Sequence, residues 1–239
     1  MRLLLMAHNV VGTRITNFLL NNYKKDLSLV VTTGENYIFR ECNRMSVPVR
    51  TSTEKWYPIP PVDLGILAWW PHIIKKELIE FPKHGFINTH PSYLPYNRGK
   101  HYNFWALAEQ TPFGVTLHRV DEGIDTGPII AQRKIPYGWT DTGETLYYKA
   151  QDAMVDLFME TYPKLRRLKF KERKQAADKG SLHKAEDIAL ASQIHLDATY
   201  KARDLLNLLR ARTFDLKPNC WFMDKGVEYE VSTTIRRVS

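Results

Sequence analysis

From residue 1 to about 165 the chain switches between short apolar runs and segments with a helical period, and that alternation leaves few folds open. RLLLMAH reads as a buried strand. VVGTRITNFLLNNYKK follows as a helix with Val11, Ile15, Phe18 and Leu19 in period, and LSLVVTT is a second strand rich in branched residues. GENYIFRECNRM has helical character and SVPVRT is a short extended piece. DLGILAW is a third good strand, HIIKKELIEF a helix closed by Pro82, and HGFINTH a fourth strand. HYNFWALAEQ is helical, FGVTLHRVDEG and PIIAQRKIPY alternate as strands, and ETLYYKAQDAMVDLFMETYPKLRRL is a long amphipathic helix. Its face carries Leu146, Ala150, Ala153, Leu157 and Tyr162. The expected fold is α/β: a Rossmann-like, mostly parallel sheet flanked by helices.

Beyond this pattern lies PKLRRLKFKERKQ (Pro163 to Gln175), with seven Lys or Arg and one Glu. Such a run is ordinarily a solvated helix end; its functional reading is a phosphate or RNA contact. The polar stretch ADKGSLHKAED has turn character. ATYKARDLLNLLRART is helical with Ala202, Leu205, Leu206 and Leu209 in period, and PNCWFMDKGVEYEVSTTIRRV reads as two strands around Asp224-Lys225-Gly226. The expected division is a domain over 1–174 and a small C-terminal region of helix and hairpin over 175–239. No internal repeat is present.

Composition narrows the classes. Apolar residues make up 44% and charged residues 25% of the 239, an ordinary globular balance with no disordered or collagen-like bias. Cys42 and Cys220 give neither a disulfide framework nor metal-type spacing, which suits a reducing cytosol. MRLLLMAHNVVG holds an apolar run too short for a secretory or membrane-spanning segment, so no membrane insertion is expected. The net charge of +8 favours a phosphate-bearing partner. The turn AHNVVG lacks the GxGxxG of nicotinamide sites, and no P-loop, HExxH, CxxC or GxSxG occurs. The scattered His residues show no metal-ligand pairing, so no metal is expected.

Ligands of open α/β sheets bind beyond the carboxyl ends of strands, and HGFINTH ends at His90. Asn88 and His90, two apart, share one face of that strand. Asp125 sits in the polar loop VDEGIDTGP between two strands, where a carboxylate can reach His90. Singly each has an ordinary explanation: a satisfied structural His, a turn-capping Asn, an Asx turn before Gly127. Together they make an acyl-transfer set. The amide and imidazole donate to a developing oxyanion, and the carboxylate orients the imidazole and raises its proton affinity.

INTHPSYLP followed by VDEGIDTGPII resembles the 10-formyltetrahydrofolate-dependent formyltransferases, over roughly residues 1 to 165. The resemblance implies that Asn88, His90 and Asp125 are catalytic and that 10-formyltetrahydrofolate is the formyl donor. It also implies that the folate is held by two segments: Trp70, Pro71, His72, Ile73 and Ile74, then Val120, Asp121, Glu122 and Gly123. Their backbone would read the pterin edge and the apolar side chains of the first would sandwich the ring. GSLHKAED, RDLLNLLRART and PNCWF, with WWPHIIK and YNRGKHYNFWAL, look like the nucleotide-sugar N-formyltransferase branch. That branch implies formylation of an amino-deoxy sugar on dTDP or a similar nucleotide, for cell-surface polysaccharide, in the cytoplasm. A homodimer is expected, with the edge of VEYEV as the strand that would pair across it. Arg98, Lys100 and Tyr102, in the loop after the catalytic strand, are expected to bind that substrate, Arg98 and Lys100 meeting its diphosphate. Nucleic acid is not an expected partner. Three rivals stay open: methionyl-tRNA formylation, a catalytically silent folate or nucleotide binder, and a folate deformylase. About 60 residues follow the basic run, fewer than the barrel-like domain of the tRNA branch needs.

Overall fold

Leu3, Leu4 and Leu5 have no solvent exposure, so RLLLMAH forms a strand covered on both faces, as the centre of a parallel sheet requires. The structure, a computed structural model, describes residues 1–52, 59–176, 179–215 and 217–238. In chain order the elements begin β1 Leu3–Ala7, α1 Asn9–Tyr23, β2 Leu27–Thr32, α2 Tyr37–Arg44, β3 Val49–Thr51 and β4 Leu64–Ala68. There follow α3 Lys76–Ile79, β5 Phe86–His90, β6 Arg98–Gly99, α4 Tyr102–Ala108, β7 Gly114–Arg119, β8 Ile129–Lys134 and α5 Gly143–Leu165. The chain closes with β9 Leu182–His183, α6 Asp187–Ala191, α7 Ala202–Arg212, β10 Cys220–Asp224 and β11 Val227–Val231.

Seven strands form one sheet in the order β3-β2-β1-β4-β5-β7-β8. β3, β2, β1, β4 and β5 pair in parallel, and β7 runs antiparallel to β5. The strand order reverses between β1 and β4, the switch point where such sheets open a crevice at their carboxyl ends. On one face Leu4, Met6, Leu29, Val31, Leu67 and Phe86 build a core. α1 buries Val11, Ile15 and Leu19 at helical spacing, and Phe18 meets Phe158 and Tyr162 of α5 edge to face. Gly12 permits this packing, because a Cβ there would lie 3.0 Å from the Ala68 carbonyl oxygen.

Two units divide the chain. One holds Met1–His90, Val115–Arg133 and Gln151–Gln175; the other holds Pro91–Gly114, Lys134–Ala150 and Ala176–Ser239. In the second, β6 and β9 pair in parallel, and β10 and β11 form an antiparallel hairpin. The hairpin turn places Lys225 at φ 47° and Gly226 at φ 81°, the doubly left-handed geometry that suits strand twist. Among the described residues no helix is long and apolar enough to cross a membrane.

Three expectations are revised. The helix expected over HIIKKELIEF is only Lys76–Ile79. Ile73 is 91% exposed while Ile74 is buried, and two adjacent branched residues enter that turn as irregular chain. In the polar stretch, Ala177 and Asp178 lie outside the described residues, but Leu182–His183 forms a strand and Asp187–Ala191 a helix. α7 forms as expected, yet its buried residues are Asn207, Arg210 and Ala211, while Leu206 is 40% exposed. The Arg210 guanidinium donates to the carbonyls of Gly138 and Asp141, and those bonds turn that face inward.

Candidate active site

The carboxyl end of β5 gathers a polar cluster from three segments. Asn88 and His90 project from one face of the strand, and the antiparallel register sets Asn88 opposite His118 and His90 opposite Thr116. Between them Thr89 points the other way. Its hydroxyl donates to the Leu67 carbonyl at 3.0 Å and accepts from the Trp69 amide at 2.9 Å, pinning β5 to the end of β4.

Asp125 reaches this face from the loop between β7 and β8. Its Oδ2 lies 3.4 Å from His90 Nδ1, and its Oδ1 lies 3.3 Å from Asn88 Nδ2 and 3.5 Å from His118 Nε2. The sequence-predicted trio is therefore one cluster in space. The loop is built for this reach. Asp121 Oδ1 accepts from the Thr126 hydroxyl at 2.7 Å and from the Gly123 amide at 3.2 Å. Asp125 itself is left-handed at φ 53°, and a Cβ on Gly127 would stand 2.0 Å from the Arg119 carbonyl oxygen.

His118 and Gln175 are the residues the sequence reading missed. His118 is 2% exposed and its Nδ1 lies 2.7 Å from the Arg119 carbonyl oxygen, which assigns the proton to Nδ1. Its Nε2 then accepts from Asn88 Nδ2 at 3.3 Å. Both amide hydrogens of Asn88 thus face protein groups, His118 and Asp125, at distances longer than the usual 2.9–3.0 Å or so. Hydrogen bonds this long are common in unliganded active sites. The period-2 alternation of GVTLHR was the only signal for His118, since it puts that residue on the same strand face as Thr116.

The two segments expected to hold folate meet. Trp70, Ile74 and Val120 pack on the same apolar cluster, and Lys76 just beyond the first segment pairs with Glu122 of the second at 2.7 Å. Trp70 stands edge-on to His72, and Ile73 presents almost its whole side chain to solvent. An apolar floor with an exposed isoleucine beside it fits a flat heteroaromatic ring. At the same strand ends, burial and the neighbouring His72 push the proton affinity of His8 down, and its Nδ1 lies 2.9 Å from the Thr33 hydroxyl. Among the described residues no group of three or more His, Cys, Asp or Glu is arranged to hold a metal ion.

In the second unit, the Arg98 amide donates to the Ser181 carbonyl and the Lys100 amide to the His183 carbonyl, each at 3.0 Å. These bonds hold the backbone of Arg98 and Lys100 against the segment that contains β9. Between them Gly99 takes φ 87°, where a Cβ would lie 2.2 Å from the His183 carbonyl oxygen. Tyr102 opens α4, and burial pushes its hydroxyl well above the ordinary range.

The chain matches the Formyl transferase family over residues 54–162 and the N-formyltransferase dimerization C-terminal domain over 187–237. It is 30% identical to the formyltransferase PseJ from Anoxybacillus kamchatkensis, solved with UDP-4,6-dideoxy-4-formamido-L-AltNAc and tetrahydrofolate. That match covers 80% of this chain and 89% of that one, with a TM-score of 0.61. The chain belongs to the formyltransferase family. The chain also superposes on a Mycobacterium tuberculosis structure described as that of a sugar N-formyltransferase candidate. The TM-score there is 0.84 at 25% identity, over 100% of this chain and 99% of that one. Among curated relatives, the dTDP-4-amino-4,6-dideoxyglucose formyltransferase of M. tuberculosis is 32% identical over 138 residues, 58% of each chain. The match thus spans 58% of that relative's length.

Proposed function

We propose that the protein transfers a formyl group from 10-formyltetrahydrofolate to the amino group of a nucleotide-linked amino-deoxy sugar. A dTDP-3- or 4-amino-dideoxyhexose is the proposed acceptor. The reading rests on one observation above all: a single carboxylate, Asp125, lies between His90 Nδ1 at 3.4 Å and Asn88 Nδ2 at 3.3 Å at the carboxyl end of β5. Acyl transfer to an amine needs donors where negative charge develops and a group to take the amine proton. Asn88 would donate one amide hydrogen to the formyl oxygen, exchanging it from His118 or Asp125. His90, held through Nδ1 by Asp125, would donate through its other nitrogen. Asp125 would take the amine proton directly or through water, and collapse of the tetrahedral adduct would break the bond from the formyl carbon to the folate nitrogen, which takes up a proton and leaves as tetrahydrofolate. The folate carrier supplies a formyl carbon already activated by its nitrogen. Trp70, Pro71, His72, Ile73 and Ile74, with Val120, Asp121, Glu122 and Gly123, would hold it. Arg98 and Lys100 would meet the diphosphate, with Tyr102 beside them.

The nucleotide sugar is favoured over methionyl-tRNA as acceptor by the match of residues 187–237 to the N-formyltransferase dimerization domain. The same match, with Leu190 79% exposed and Met223, Val227 and Tyr229 each nearly half exposed, supports a homodimer through the C-terminal region. Its place would be the cytoplasm, acting before sugars enter cell-surface polysaccharide.

The test mixes the protein with 10-formyltetrahydrofolate and a panel of amino-deoxy nucleotide sugars, and seeks a gain of one formyl group by mass spectrometry. A formylated sugar is expected and names the acceptor. Folate consumed without a sugar product would move the reading to tRNA or to hydrolysis. Folate bound but not consumed would make the protein a silent binder.

A further inference from the structure

The basic run Pro163–Gln175 does more than end a helix. After α5 the chain from Phe170 to Gln175 runs against β7, β8 and the loop between them, and Phe170, Glu172, Arg173 and Gln175 each make a contact there. The Arg119 guanidinium lies 5.1 Å from the Phe170 ring centroid, and its Nε pairs with Glu172 Oε1 at 2.7 Å. Arg173 exchanges both backbone hydrogen bonds with Ile129, each at 2.8 Å. Its guanidinium donates to Gln132 Oε1 at 2.7 Å, and Gln132 Nε2 donates in turn to the hydroxyl of Thr116, the cross-strand partner of His90. Last, Gln175 Nε2 donates to the carbonyl of Asp125 at 2.7 Å and to that of Gly127 at 2.8 Å.

That final contact is the informative one. Asp125 sits in the left-handed region, which aspartate tolerates better than most residues but which still favours a loop held from outside. Turning the Gln175 amide round would set its oxygen against two carbonyl oxygens, so the donor assignment is unambiguous. The Gln175 oxygen is buried without a hydrogen-bond partner, a cost that placing both hydrogens on this loop must offset.

We propose that the segment Phe170–Gln175 is a positioning strap for the site, and that Gln175 sets the Asp125 carboxylate against His90 and Asn88 by clamping the carbonyls on either side of Thr126. The inference rests on the reading of Asp125 as a participant in formyl transfer. Gln175 touches no reacting atom; it acts through the loop.

The test is a double-mutant cycle of Gln175→Met, nearly isosteric but without a donor, and Asp125→Asn. In the wild-type background Gln175→Met should lower kcat about a hundredfold, the size of effect a misplacement of about 1 Å produces, with both KM values nearly unchanged. In the Asp125→Asn background it should add almost nothing, because residues acting as a unit are not additive. Amide exchange should quicken in Gly123–Gly127 and not in β1 or β4, a readout that needs no turnover. Lys25→Ala, exposed ahead of β2 and outside the strap, should leave kcat unchanged. Wild-type turnover in a folded Gln175→Met protein would overturn the inference, as would an equal loss in both backgrounds or unchanged exchange. Wild-type protein that formylates no acceptor would instead overturn the reading of the site, and the inference with it.

Discussion

Asp26 and Asp125 are two carboxylates of the same unit, held at opposite ends of the same mostly parallel sheet and in opposite ways. Asp26 precedes the amino end of β2. It accepts from the Tyr162 hydroxyl at 3.0 Å and takes a two-pronged contact from Arg166 at 2.8 and 3.1 Å, with the N-terminal ammonium at 3.9 Å. Asp125 stands at the carboxyl end of β5 and meets two imidazoles and an amide at 3.3–3.5 Å. The first is held by a guanidinium and a hydroxyl at ordinary hydrogen-bond lengths and ties α5 to the start of β2. The second meets groups that can change protonation or exchange hydrogens, at lengths that leave room to move. In this molecule distance and partner type set the Asp26 carboxylate apart from the one proposed to take part in formyl transfer.

The largest way to break the comparison is to remove the groups around Asp125. Asn88→Ala and His90→Ala should each cost about a hundred- to a thousandfold in kcat, with the melting temperature nearly unchanged. Steady-state rates on the purified variants check this, and normal rates in both would remove the cluster from the chemistry. At the other end, Arg166→Ala leaves Asp26 as a buried charge without its main partner. The expected loss is about 3 kcal/mol, a fall of about 10 °C in the melting temperature, with kcat of the folded protein retained. Calorimetry on the variant measures it. A smaller effect is expected in the second unit. Removing the charges of Arg98 and Lys100 should raise KM for the nucleotide sugar about tenfold and leave that for folate unmoved. If neither constant changes, β6 does not meet the diphosphate.

The smallest effect is in pH. Burial pushes the Asp26 carboxyl up, but hydrogen bonds from Arg166 and Tyr162 and the charges of Arg166 and the N-terminus outweigh it, and the net shift is downward. Asp63, beside Arg2 at the surface, is likewise held down, to about 2. A depressed carboxyl contributes stability that is complete above its unfolded value near 4 and is lost as pH falls through the folded value. The urea midpoint should therefore hold above about pH 5 and decline below pH 4, with a shallower decline in Asp26→Asn. Equal slopes would mean that Asp26 is not the group responsible.

Much of this was legible in the sequence, and the reason differs by element. Strand–helix alternation carried the sheet because burial imposes a local period, and Asn88 and His90 could be joined because strand geometry fixes residues two apart. Asp125 needed only a loop between neighbouring strands. His118 entered only with the antiparallel register that sets it opposite Asn88, and Gln175 only with a contact 50 residues distant in the chain. Neither register nor long-range contact has a local period. α7 shows the converse: its leucines predicted the helix correctly, but Arg210 and the carbonyls of Gly138 and Asp141 decided which face turned inward. Leu206, 40% exposed on that helix, lies within the residues that match the dimerization C-terminal domain.

The central claim is that the two ends of the sheet divide stability from chemistry, and one paired measurement tests it. Asp125→Asn and Asp26→Asn each replace a carboxylate by its near-isosteric amide. Both proteins would be assayed for formyl transfer to the acceptor found with wild type, and for thermal unfolding. The account expects Asp125→Asn to lose most turnover and keep its melting temperature, and Asp26→Asn to do the reverse. An Asp125→Asn protein that turns over like wild type would contradict it.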